Sequence, residues 1–329
     1  MNTKTYVLGI DIGGTNTVIG IVDARGTVIA TGAISTKKYP VFDDYIQAVY
    51  EEGTKLIEAN DLQGQVGGIG VGAPNANFYT GTIESAANLI WKGVLPLAEK
   101  LEEKFGIPVA ITNDANAAAI GEMTYGAARG MKDFIMITLG TGVGSGVVAG
   151  GQMIYGADGL AGELGHIISR RGGRLCGCGR RGCLETYCSA TGVVRSALEF
   201  LDASPSVPST LRNIPGGDMT SKDVYDAAKA GDPIAQSVFE FTGRVLGESL
   251  ADFAAFTSPE AFVIFGGLAK SGEMLFKPMI ESFNNNCLSY HKGKIKIIPS
   301  ELKEADAAVL GASALGWEAM RLAGDQAPA

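Results

Sequence analysis

Histidine and cysteine are scarce: the 329 residues hold two of the first and five of the second. Long apolar runs are missing too. None approaches the roughly 18–20 residues of a membrane-spanning helix. The apolar stretch after MNTKT is too short for a signal h-region and has no cleavage site after it. A cytoplasmic chain with reduced thiols is therefore expected. Charge is sparse at 19% and leans negative, with a net charge of −8. No Lys/Arg-rich run or basic helix stands out, so nucleic acid and anionic membrane are not expected as partners. Glycine has no period of three, which excludes collagen. What the chain does have is core material, 46% hydrophobic residues, over a length that suits two domains. Its 46 glycines cluster in short loops, which points to close approach of backbone to ligands.

The scarce residues are not scattered. Residues 163–185 read ELGHIISRRGGRLCGCGRRGCLE, which places His166, Cys176, Cys178 and Cys183 in one window between Glu163 and Glu185. Glycine and arginine cannot build a core there, so something else must hold the segment. One imidazole and three thiolates suit a tetrahedral Zn²⁺, and such a closed site leaves no place for water, so the metal would be structural. Disulfides within the cluster are the alternative, disfavoured in a reducing compartment.

Read in order, residues 6–22 are two β-rich runs around a Gly-Gly-Thr turn, and 27–34 suit a third strand. A helix is expected over 43–60, a buried strand over 66–72, and a polar loop after Pro74. A helix over 94–105, a strand over 107–112 and a helix over 115–126 follow. The opening pattern then recurs at 134–150 as strand, Gly-Thr-Gly turn, strand, which suggests an internal duplication. Beyond a loose stretch at 203–221, a long helix (232–256), a strand (261–265), a helix (271–285), a strand (294–298) and a last helix (306–323) complete an α/β chain in two lobes.

Five further stretches can carry chemistry. The turns Asp11, Gly13, Gly14, Thr15, Asn16 and Gly140, Thr141, Gly142, Gly144 cluster backbone N–H groups with few side chains in the way, which makes an anion nest. A tight hairpin also wants glycine, so either turn alone has a plain alternative. Two of them in a duplicated context suit a polyphosphate. An acidic protein that binds ATP needs such backbone donors and Mg²⁺, and Asp11 at the end of a buried strand is the natural anchor for the ion, or else a turn cap. Asn113 and Asp114 end a strand and open a helix, where an open α/β sheet places ligand residues. They are N-caps, or Asp114 is a base for a substrate hydroxyl. Gly266-Gly267 lies between a strand and a helix, a platform for adenosine or an ordinary connection. Asn75, Ser85, Asn88 and Trp91 follow strand 66–72 and either shape a pocket or fill the core.

Together DIGGTNT (11–17), NDANAAA (113–119), LGTGVGSG (139–146), ELGH (163–166) and CGCGRRGCLE (176–185) resemble the ROK family of repressors, open-reading-frame proteins and sugar kinases. The resemblance runs nearly end to end. It implies an actin-like, hexokinase-type fold of two lobes with sugar and ATP between them. A smaller domain would comprise 1–113 plus about 305–329, and a larger one 114–304 with the zinc loop. It implies ATP- and Mg²⁺-dependent phosphorylation of a hexose: glucose first, to glucose 6-phosphate, with fructose, mannose or N-acetylmannosamine as alternatives. Asp114 resembles the family's base, Asn113, Glu163, His166 and Glu185 its sugar ligands, and His166, Cys176, Cys178 and Cys183 its zinc ligands. The two glycine turns match its phosphate loops and Gly266-Gly267 its adenosine loop. Homodimers are usual. Repressors of the family carry a DNA-binding extension before the first phosphate loop. Only about five residues precede the first strand here, so an enzyme is expected. The chain departs from the family at Pro74-Asn75, where Pro-Gly is common, and at Ala86-Ala87-Asn88, where Ala-Pro-Asn is.

Overall fold

Strands β1 (Tyr6–Ile12) and β2 (Asn16–Asp23) form the first hairpin, and β3 (Val28–Ser35) extends it antiparallel. The computed structural model describes residues 4–86, 88–302 and 304–325; Ala87 and the end of the expected 305–329 segment fall outside them. The chain divides into two compact units, Met1–Met131 with Gln152–Ala161 and Glu301–Ala329, and Lys132–Gly151 with Gly162–Ser300.

In the first unit α1 (Phe42–Ala59) follows β3. It buries Tyr45, Ile46, Val49 and Leu56 along one stripe, each worth roughly 1.5–3 kcal/mol of apolar burial. Then come β4 (Val66–Gly72), the short β5 (Ala76–Asn77), β6 (Thr82–Glu84) and β7 (Val94–Leu95), α2 (Leu97–Phe105), β8 (Val109–Thr112) and α3 (Asp114–Tyr125). The loop expected after Pro74 is thus a small three-stranded sheet. The helix expected from residue 94 starts after Pro96, whose ring cannot sit deeper in the helix. The main sheet has the order β3-β2-β1-β4-β8, with β4 and β8 parallel to β1.

The second unit repeats that plan. Strands β9 (Phe134–Leu139) and β10 (Val143–Ala149) form the second hairpin, and the two-residue β11 (Gln152–Met153) comes next in the chain. Helices α4 (Glu185–Cys188), α5 (Ala190–Ala203), α6 (Ser221–Lys229) and α7 (Pro233–Thr257) precede β12 (Ala261–Phe265), α8 (Glu273–Asn286) and β13 (Lys296–Pro299). Strands run β10-β9-β12-β13, one antiparallel pair and two parallel ones, as β2-β1-β4-β8 do in the first. Sequence reading passed over α5 and α6. Helix α6 carries a reciprocal capping box between Thr220 and Asp223, at the end of the stretch read as loose.

The last helix, α9 (Glu304–Asp325), belongs to the first unit. It explains much of the glycine. A Cβ on Gly70 of β4 would stand 1.8 Å from the Ala312 carbonyl, and one on Gly9 of β1 2.2 Å from that of Val309. These glycines let a helix lie against a sheet. The expected boundary at 113/114 shifts for a related reason. Helix α3 lies along α9, where a Cβ on Gly121 would stand 2.8 Å from Gly311 Cα. So α3 and the residues to Met131 stay with the first unit. Among the described residues no helix is long and apolar enough to cross a membrane.

Candidate functional site

The candidate residues sit at the C-terminal ends of parallel strands, where side chains and loop amides leave the sheet unpaired. In the first unit these strands are β1, β4 and β8. Asp11 lies near the end of β1, paired with Gly72 of β4, which in turn pairs with Thr112 of β8. Asn113 and Asp114 come directly after. Gly72 stands between the two carboxylates: a Cβ there would be 3.9 Å from Asp11 Oδ1 and 4.0 Å from Asp114 Cα. Burial pushes the Asp11 carboxyl up to about 6, and the charge of Asp114 adds to the rise. A cation placed beside them would oppose both effects.

Asn113 is the N-cap of α3, its side-chain oxygen accepting the Asn116 N–H at 2.7 Å. Asp114 opens the helix, exposed, with Oδ1 accepting the Ala115 N–H at 3.0 Å. One carboxylate oxygen is thereby oriented by the backbone. The cap reading and a functional reading coexist here, since the cap fixes where Asp114 stands.

The β1–β2 turn is held by its carbonyls. The Gly13 oxygen accepts the Thr36 hydroxyl at 2.8 Å, and the Thr15 oxygen accepts the Thr36 N–H at 2.9 Å. Gly13 N–H donates to the Asn16 carbonyl at 2.9 Å. Gly14 must be glycine because a Cβ would stand 2.5 Å from the Asn88 carbonyl. Asn75 adopts φ +54°, the left-handed region that its Pro-Asn turn needs, and its side-chain nitrogen donates to the Glu84 carbonyl at 3.1 Å. Ser85 is left-handed too, with φ +50°. Trp91 resolves as core: it is buried against Tyr45 at 4.4 Å between centroids, and its Nε1 donates to the Tyr39 carbonyl at 3.0 Å.

In the second unit the parallel strands β9 and β12 end side by side, Thr138 opposite Phe265. The structure therefore brings the second glycine turn and Gly266-Gly267 together. Gly266 has φ +100°, and a Cβ on it would stand 2.5 Å from the Leu139 carbonyl. The turn is again held by carbonyls, with Ala190 N–H on the Gly140 oxygen at 2.8 Å and the Thr191 hydroxyl on the Thr141 oxygen at 3.1 Å.

The turn bearing Glu163 and His166 is pressed onto β10, since a Cβ on Gly165 would stand 2.0 Å from the Val143 carbonyl. Ser145 braces it: its hydroxyl donates to the Gly162 carbonyl and accepts the Leu164 N–H at 3.1 Å. Glu185 starts α4. Its Oε2 accepts the Val143 N–H at 3.1 Å, and Cys176 Sγ lies 3.6 Å from its Oε1.

The ligand atoms of His166, Cys176, Cys178 and Cys183 all lie within 4.8 Å of one another. Cys178 and Cys183 are 3.7 Å apart at sulfur, and Cys176 Sγ is 3.6 Å from His166 Nδ1. A tetrahedral zinc with Zn–S of about 2.3 Å needs sulfurs roughly 3.8 Å apart and sulfur to nitrogen roughly 3.5 Å apart, so the donor set fits. No disulfide joins any of the five cysteines.

Sequence reading missed Arg174. Its buried guanidinium binds both oxygens of Glu199, the Thr186 carbonyl at 2.6 Å and Ser196 Oγ at 2.9 Å, and it stacks on Tyr187 at 4.5 Å. It fastens the cysteine loop to α4 and α5. Five arginines between 170 and 181 look alike in sequence, and nothing in their spacing marks this one.

Repeated strand–turn–strand units, each with a glycine turn at the end of a parallel strand, define an α/β protein built from two similar halves. The chain belongs to the ROK family, whose model matches residues 7–318. A glucokinase of Halalkalibacterium halodurans is 39% identical over 298 residues, 86% of each chain. A ROK family glucokinase from Streptomyces griseus, solved in complex with glucose and AMPPNP, matches with TM-score 0.76 at 34% identity, covering 95% of this chain and 99% of that one. A ROK family transcriptional regulator, a homologue of the E. coli MLC protein, matches with TM-score 0.83 at 25% identity, covering 97% of this chain and 79% of that one.

Proposed function

We propose that this chain is an ATP-dependent hexose kinase that converts glucose and ATP to glucose 6-phosphate and ADP. The observation that carries the reading is its likeness, over 95% of its length, to a glucokinase holding glucose and AMPPNP. The site chemistry agrees with it. Asp114 takes the proton of the attacking sugar hydroxyl. Its exposed, backbone-oriented carboxylate is a weak base, which suffices because phosphoryl transfer has a loose transition state and depends mainly on orientation. Asn75, Asn113, Glu163, His166 and Glu185 hold sugar hydroxyls. Carboxylates and amides suit a sugar because an unpaired buried site rejects analogues that lack a hydroxyl.

ATP phosphates sit on Asp11, Gly13, Gly14, Thr15 and Asn16 of one turn and Gly140, Thr141 and Gly142 of the other. Gly266 and Gly267 face the adenosine. Asp11 would hold the Mg²⁺ that accompanies ATP, and the ion would supply charge neutralisation at the phosphates. Zn²⁺ on His166, Cys176, Cys178 and Cys183 supplies stiffness only. Nδ1 of His166 is the nitrogen on the thiol side, so Nε2 is the one that reaches a hydroxyl. The enzyme acts as a cytoplasmic homodimer, which sedimentation and cell fractionation test.

The likeness to a regulator favours one second reading, a sugar-responsive protein without catalysis. A coupled ADP-release assay separates the two across glucose, fructose, mannose, N-acetylmannosamine and N-acetylglucosamine. Glucose is expected to show the highest kcat/KM. A better sugar would reassign the substrate, and no ADP with any of them would leave the regulatory reading.

A further inference from the structure

Beneath the β1–β2 turn lies a row of buried hydroxyls to which neither the phosphate reading nor the sugar reading gives a role. Tyr45 OH is 2.8 Å from Thr17 Oγ1, which is 3.0 Å from Thr36 Oγ1, which donates to the Gly13 carbonyl at 2.8 Å. All three side chains are fully buried. Each hydroxyl carries one proton, so the last bond sets the direction of the others. Thr36 gives its proton to Gly13 and can only accept from Thr17. Thr17 has then spent its own proton and accepts from Tyr45. Burial pushes the Tyr45 phenol well above its usual range, so it stays a donor. Its ring is held among Tyr39, Phe42 and Trp91.

The consequence lies in peptide geometry. In a planar trans peptide the C=O of one residue points opposite the N–H of the next. Fixing the Gly13 carbonyl on Thr36 Oγ1 therefore aims the Gly14 N–H the other way. Fixing the Thr15 carbonyl on the Thr36 N–H does the same for the Asn16 N–H. Without that hold, a Gly-Gly peptide turns over at little cost, because glycine tolerates both signs of φ. A flipped peptide would present an oxygen where a phosphate should find a donor.

We infer that Thr36 is a positioning residue for the anion-binding turn, aiming the Gly14 and Asn16 amides at the phosphates of the nucleotide, with Thr17 and Tyr45 as its relay. The inference rests on the reading of Gly13–Asn16 as a phosphate loop. The second turn uses the same device, with Ala190 N–H and the Thr191 hydroxyl holding the Gly140 and Thr141 carbonyls.

The test titrates AMPPNP with Mg²⁺, and glucose separately, into wild type, Thr36→Val, Thr36→Ser and Tyr45→Phe. Thr36→Val is expected to weaken AMPPNP about tenfold and glucose by less than about twofold. Thr36→Ser restores AMPPNP affinity to within about twofold. Tyr45→Phe weakens AMPPNP about threefold and adds nothing on top of Thr36→Val, because the relay acts through Thr36. Should Thr36→Val not fold, Tyr45→Phe and Thr36→Ser still decide the matter. AMPPNP affinity unchanged in Tyr45→Phe and Thr36→Val, or glucose weakened as much as nucleotide, would overturn the inference. Wild-type protein that binds AMPPNP but releases no ADP with any sugar refutes the kinase reading alone, since the variants' AMPPNP affinities still decide the inference. Wild-type protein that binds no AMPPNP overturns both.

Discussion

Glu185 accepts the Val143 N–H on one carboxylate oxygen at 3.1 Å, which ties the first residue of α4 to the end of the second glycine turn. Gly142 lies against the same carboxylate, since a Cβ there would stand 2.3 Å from Glu185 Oε2. A residue proposed to hold sugar is thus fastened to a turn proposed to hold phosphate. A bond from a backbone amide to an ionised carboxylate is about twice as strong as a neutral one.

Glu185→Gln is accordingly expected to raise the KM for both glucose and ATP, each by roughly 3- to 30-fold. Glu163→Gln should raise only that for glucose. Steady-state kinetics with each substrate varied in turn measure the difference. An ATP KM unmoved by Glu185→Gln would show that the amide bond does not shape the phosphate turn.

Asp114→Asn keeps the side chain's size and its capacity to accept the Ala115 N–H. Glucose affinity by calorimetry should change by less than about threefold, whereas kcat should fall about 10²–10⁴-fold, the usual worth of a general base. Equal turnover in the coupled assay would remove Asp114 from that role.

Asp11 carries a pH signature. Its carboxyl is raised from 3.8 to about 6, so the folded chain holds that proton more tightly than the unfolded chain does. The sign follows from linkage: Asp11 costs no stability below pH 3.8, and its cost grows as pH rises through about 6. Asp11→Asn should therefore stabilise the nucleotide-free chain at pH 7 by up to about 3 kcal/mol and have little effect at pH 3.5. Denaturant midpoints at the two pH values report it, and equal shifts at both would contradict the assignment. The same variant should lose Mg²⁺-dependent turnover.

For the cysteine cluster, elemental analysis of freshly purified protein should find one zinc per chain. Structural zinc contributes on the order of 10 kcal/mol of binding free energy to the fold it organises. Cys178→Ser should then lower the melting temperature and raise the glucose KM together, because Glu185 and His166 flank the same loop. Zinc-free protein with wild-type melting and kinetics would refute the link.

The repeated hairpins were legible because two runs of alternating and continuous apolar residues flank each Gly-Thr turn, a period that helices do not share. The metal ligands were legible because soft donors are rare in this chain and four of them fall within 18 positions of sequence. Helices α5 and α6 escaped notice. The stretch around α6 is rich in Pro, Ser and Gly, and its helix is started by a Thr220–Asp223 box rather than by apolar periodicity. Asn75 shows the limit of reading one residue at a time. Its turn needs a left-handed residue, which Asn supplies, and half its side chain is spent on Glu84.

By itself the sequence determined the order of the longer strands, the two glycine turns, the cap that sets Asp114 at the head of α3, and the members of the His/Cys cluster. All of these depend on residues close together along the chain. Only the tertiary structure decided that α9 lies on β1 and β4, that Gly14 is required by Asn88, that Gly142 lies against Glu185, and that Thr36 reaches back to hold Gly13. Each joins residues from about 20 to more than 200 positions apart, and each depends on sub-ångström close packing that no local pattern encodes.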